Sequence, residues 1–112
     1  MTEPFPNSPA RAIPNQVATR HFSLGQTFAT PASQAHLARH GVSALALLSR
    51  HARGDWGQVN AQDRAANDQA LADGGRLLSA YDVAGERIWV ITEAESHPGH
   101  RASTCILFPR EY

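Results

Sequence analysis

The hydrophobic period of this chain changes at one place, Gly74-Gly75, and that change limits its fold more than any other feature. Before the two glycines apolar residues recur three or four apart, as in a helix that buries one face. After them they alternate, as in a strand with one buried face. Three runs follow with a period of two: "RLLSAYDV" (76–83), "ERIWVITEAE" (86–95) and "STCILFPREY" (103–112). Ala84-Gly85 permits only a tight hairpin between the first two, and "SHPGH" gives a longer turn before the third. Strands joined this closely run antiparallel, because a parallel return needs a crossover of about a dozen residues. The C-terminal third therefore predicts a three-stranded antiparallel meander.

Upstream, local signals predict three helices. Thr30-Pro31 reads as an N-cap followed by the first helical residue, and Gly41 ends that helix. Ser43 caps "ALALLSRHAR", in which Leu45, Leu48 and Ala52 share a face, and Gly54 stops it. Asn60 caps "NAQDRAANDQALAD", with Ala65, Ala66, Leu71 and Ala72 as its apolar stripe. "HFSLGQTFAT" (21–30) alternates loosely around Gly25 and reads as a short strand with a bulge. Residues 1–20 hold four of the seven prolines, show no period, and are expected to form a flexible arm. The expected class is α+β in one domain over 21–112: an N-terminal strand, three helices, then the meander packed against them.

Composition narrows the partners. Ten basic residues, all arginine, balance ten acidic ones, so no net field draws the chain to nucleic acid or an anionic membrane. The apolar fraction of 42% is that of a globular protein. Cys105, alone and inside "TCILF", cannot form an internal disulfide. No basic-then-apolar leader and no long apolar run are present, so a cytoplasmic protein without a membrane span is expected.

The segments "LGQTFATP", "LLSRHARGDWG", "DRAANDQALADGGRLLSAY", "IWVITEAE" and "ILFPREY" occur in this order over roughly residues 22 to 112. Taken together they resemble a family of small proteins of bacterial plasmids and integrative conjugative elements. The resemblance implies association with mobile DNA and brings no defined activity with it. In that family the "TEA" stretch runs almost directly into the Arg and Thr that open the last strand. Here "SHPGH" is inserted, which separates His97 and His100 from anything the family shares.

Two constellations could carry chemistry. His97 and His100 are three apart, but a structural zinc takes four ligands and a catalytic one three, so no metal is expected. The hairpin from "TEAE" to "HRAST" brings Thr92, Glu93, Arg101 and Thr104 near one another. A carboxylate base, an arginine for phosphate charge and a histidine acid, here His51 or His100, suffice for metal-independent RNA cleavage. The plainer reading makes Glu93 and Arg101 a cross-strand ion pair. "HARGDWG" (51–57) reads as a helix–helix corner, with Trp56 capping the core, Asp55 accepting backbone amides and His51 and Arg53 at a helix C-terminus.

Two functions follow. The favoured one is a mobile-element accessory protein without enzymatic activity or cofactor. It binds a host or element protein, inhibition of a host defence system being one form of this, through Arg53, Asp55, Trp56 and Arg101. The alternative is a small ribonuclease or toxin built on Glu93 and Arg101. The balanced charge disfavours nucleic acid as the partner.

Overall fold

The computed structural model describes residues 21–112, so the expected arm lies outside the described residues. The helices begin where the sequence places their caps. Helix α1 is Pro31–Arg39, and the Thr30 hydroxyl accepts the Ser33 amide at 3.2 Å. Helix α2 is Ala44–Ala52, capped by Ser43, and helix α3 is Ala61–Asp73, where Asn60 accepts the Asp63 amide at 2.7 Å. Such caps satisfy amides that the first turn leaves without partners. The buried faces are rotated from the expected ones. In α2 they are Leu47, Leu48, Ser49, His51 and Ala52, with Leu45 half-buried. In α3 Ala65, Ala66 and Ala72 are exposed, and Asn67 and Ala70 face inward.

The strands are β1 Gln26–Ala29, β2 Leu77–Val83, β3 Glu86–Thr92, β4 Glu95–His97, β5 His100–Arg101 and β6 Ser103–Leu107. β2, β3 and β6 form the expected antiparallel meander, and β1 joins it parallel to β6, giving a mixed sheet of order β1-β6-β3-β2. The meander is shorter than the alternating runs. β3 ends at Thr92 rather than residue 95, because the Glu95 amide turns away to the Gly74 carbonyl at 2.8 Å. The inserted residues make a separate hairpin of β4 and β5. β6 stops before Pro109, which has no N–H for a ladder, and Pro109–Glu111 is a 3-10 turn.

One face of the sheet carries Leu77, Ser79, Tyr81 and Val83 of β2, Ile88, Val90 and Thr92 of β3, and Thr104 and Ile106 of β6, all buried. Most of these residues form the main core with Leu37, Leu47, Leu48 and Ala52 of α1 and α2. A second cluster, Trp56, Ala70 and Leu77, joins α3 and the corner to β2.

The two edges of the sheet are finished differently. At β2 the Asn67 side chain acts as a piece of strand: its Nδ2 donates to Leu78 O at 2.7 Å and its Oδ1 accepts the Leu78 amide at 3.0 Å. Two residues on, Ala80 N donates to Trp56 O and Ala80 O accepts from Gln58 N. Gly57 makes this approach possible, since a Cβ there would lie 2.1 Å from Ala80 O. Edge β2 is closed. At β1 nothing among the described residues pairs with the outer side.

Candidate functional site

The interior holds a line of polar groups that alternation alone would make apolar. His51, from the last turn of α2, places Nδ1 2.6 Å from Ser79 Oγ and Nε2 2.8 Å from Thr92 Oγ1. Thr92 Oγ1 is 2.7 Å from Thr104 Oγ1, which donates to the Leu24 carbonyl at 2.7 Å. His51, Ser79, Thr92 and Thr104 all have 0% exposure.

The protons in this line have one consistent order. Thr104 has a single hydroxyl proton and gives it to Leu24 O, so Thr92 must donate to Thr104. Thr92 then accepts from His51 Nε2–H, and Nδ1 accepts from Ser79. Every group is satisfied with a neutral imidazole in the Nε2–H tautomer; a second ring proton, on Nδ1, would turn Ser79 into an acceptor and take away the partner of its own hydroxyl proton. Burial, together with the smaller effect of the nearby Arg101 charge, accordingly lowers the His51 pKa to about 3. The sequence reading of His51 as a cation at a helix end is corrected: the ring is inside and neutral.

A serine hydroxyl on an imidazole is half of a nucleophilic triad, and the geometry invites that reading. Yet neither Ser79 nor His51 has any exposure to solvent, so no substrate touches either in this fold. The line instead fastens α2 to β2 and β3, and through Thr104 to β6 and the segment leading into β1.

Arg101 is 2% exposed, at the base of the inserted hairpin. Its Nη1 donates to the carbonyls of Gly75 at 2.6 Å and Glu93 at 2.9 Å, and its Nη2 to that of Ala70 at 3.3 Å. Helix α3 has no basic residue in its last turn, so Arg101 supplies from a distance the cation that the C-terminal dipole favours. The expected Glu93–Arg101 ion pair is corrected: Arg101 bonds the Glu93 backbone, and the nearest carboxylate is Glu95 at 4.0 Å. The Glu93 side chain is exposed. Thr92 and Thr104, placed together by the sequence, do meet.

The "HARGDWG" stretch turns the chain from α2 toward α3. Trp56 is 2% exposed and stacks on Phe22, with centroids 6.2 Å apart, while its Nε1 donates to Asp68 at 3.3 Å. Asp55 accepts the Gly57 amide at 3.2 Å and the Arg50 Nε at 2.7 Å, and Arg50 holds its carboxyl below the usual range. The Asp55 carbonyl accepts the Tyr81 hydroxyl, whose pKa burial pushes up to about 12. Of the four residues expected to contact a partner, Trp56 and Arg101 are therefore interior, and Arg53 and Asp55 are at the surface.

His97 and His100 stack parallel on the exposed β4–β5 hairpin, centroids 4.6 Å apart. Among the described residues no group of three His, Cys, Asp or Glu side chains could hold a metal, and no helix is long and apolar enough to cross a membrane.

The surface feature that sequence reasoning missed is the β1 edge. Thr27, Phe28, Ala29, Gln34, Ala44, Leu48 and Ile106 line a groove of about 200 Å³ beside it. Phe28 is 54% exposed on the opposite face of the strand. The signal was present as Phe28 within an uncharged run, but only the strand order puts it at an edge. Compared with known proteins, the chain matches no family model, no curated protein and no solved structure.

Proposed function

We propose that the chain is a non-enzymatic interaction protein, an accessory of a mobile element that acts by binding a host or element protein. Inhibition of a host defence system is one form that such binding would take. The observation that carries the reading is the fate of the groups a ribonuclease would need. The His51 imidazole is buried and neutral, and the Arg101 guanidinium is spent on three backbone carbonyls. Glu93 keeps a free carboxylate with neither beside it. Removing a single transition-state donor costs about 10²–10³ in rate, and here both the cation and the buried acid are unavailable to substrate.

What the surface retains suits protein binding. An open strand edge presents backbone donors and acceptors in a fixed row, and a groove next to it selects side chains. Specificity then comes from the uncharged edge with its exposed Phe28 and not from net charge, which is zero.

The test is incubation of purified protein with total RNA, with and without a chelator, beside Glu93→Gln. No cleavage is expected at high protein concentration. Chelator-resistant cleavage lost in Glu93→Gln would overturn the proposal.

A further inference from the structure

The open edge of β1 has a regular backbone pattern. Gln26 donates to Ala102 O, and Thr30, just past the strand, to Ile106 O, each at 3.0 Å. Even-numbered residues thus turn their backbone toward β6. By the two-residue alternation, Thr27 and Ala29 turn their N–H and C=O groups outward. Phe28 sits between them, its backbone toward β6 and its ring exposed.

We propose that two copies of this chain pair through β1, antiparallel about a two-fold axis at Phe28, so that two four-stranded sheets become one of eight. The proposal rests on reading the open edge as a protein-binding surface, and it names the occupant. In this register Thr27 of each copy faces Ala29 of the other, and each such pair exchanges two N–H···O bonds. Four backbone bonds use every outward group of the strand. Phe28 meets its counterpart in a non-hydrogen-bonded pair, the arrangement that brings side chains closest.

The neighbouring registers fail for reasons in the sequence. Centring on Thr27 would set Ala29 against Gly25, whose N–H already goes to Ser23 Oγ at 3.3 Å. Centring on Ala29 would set Thr27 against Pro31, which has no N–H. The incoming Thr27 and Ala29 side chains lie on the groove side and are small enough to enter it beside Leu48 and Ile106. β1 carries no charge, so two copies do not repel there. The other edge cannot compete, because Asn67 and residues 56–58 already occupy it.

The test uses the full chain with Cys105→Ser as background. Phe28→Cys brings two thiols together across the axis, with Cα atoms about 4.5 Å apart, inside disulfide range. Gln26→Cys leaves them about 13 Å apart along the strand, outside it. On mild oxidation Phe28→Cys should give a disulfide-linked dimer at least about tenfold faster than Gln26→Cys, since pairing raises effective concentration. Sedimentation of the unmodified chain should show a dimer that grows from micromolar to millimolar protein. Thr27→Pro should abolish that dimer and keep the circular dichroism spectrum, because the Thr27 N–H points away from β6.

Equal rates at the two positions, a dimer that survives Thr27→Pro, or a monomer throughout each overturn the proposal. A photo-crosslinker at Phe28 then separates this failure from that of the interaction reading. A monomer that crosslinks to another protein in bacterial extract removes only self-pairing. A monomer that crosslinks to nothing removes the edge as a binding surface as well.

Discussion

Acidification should unfold this protein through His51. The ring has a pKa of about 3 in the fold against 6.5 when free. Between these values the unfolded chain binds a proton that the folded chain refuses, so stability rises with pH across that interval. It is fully present above about pH 6.5 and is lost as pH falls toward 3. Each unit is worth about 1.4 kcal/mol, so pH 5 should cost about 2 kcal/mol relative to neutrality. Asp55 and Glu111 have lowered pKa values, and their stabilisation is lost only as pH falls through the ordinary carboxylate range and below. The window from pH 6.5 to 5 therefore isolates histidine. The assay is urea unfolding at closely spaced pH values, comparing the chain with His51→Gln, which keeps a donor for Thr92 and does not titrate. The variant is less stable at neutral pH, but its dependence on pH across the window should flatten by the His51 share. Parallel curves for the two proteins would refute the neutral, buried imidazole and the proton order derived from it.

Trp56→Ala should cost about 3–5 kcal/mol, as for a large core side chain, measured by chemical unfolding. Asp55→Asn, at a half-exposed ion pair with Arg50, should change stability by no more than about 1 kcal/mol. Arg101→Ala strands three interior carbonyls and should destabilise by about 3–5 kcal/mol, whereas Glu93→Gln should stay within about 1 kcal/mol. Comparable losses for those two variants would restore the side-chain ion pair. Asn67→Ala exposes the Leu78 backbone groups at the closed edge and should cost about 2 kcal/mol, with faster amide exchange at Leu78 as the local readout.

The elements were legible where a local rule decides them. Thr30-Pro31, Ser43 and Asn60 cap helices because a hydroxyl or amide reaches an amide two or three residues on, a contact written in adjacent letters. The order of strands within the meander follows from short connections. The pairing of β1 with β6 was not legible, because it joins residues 26–29 to 103–106 across the whole domain. The end of β3 was hidden for a related reason: "TEAE" continues the alternation, and only the distant Gly74 carbonyl draws Glu95 out of the ladder.

The candidate site divides along the same line. Proximity of Thr92 and Thr104 could be read from the hairpin, and the structure brings them to 2.7 Å. The roles of His51 and Arg101 could not, since each is fixed by partners far off in sequence. A usable signal did exist. Ser79 and Thr92 occupy inward positions of strands whose other inward residues are Leu77, Tyr81, Val83, Ile88 and Val90, and a buried hydroxyl needs a partner. Two such hydroxyls on neighbouring strands, facing a helix that ends in histidine, call for one imidazole between them. A catalytic imidazole must exchange its proton with substrate, and this one has both nitrogens committed to hydroxyls in a closed interior. The imidazole that the ribonuclease reading would take as its acid is therefore the group that holds α2 on the sheet.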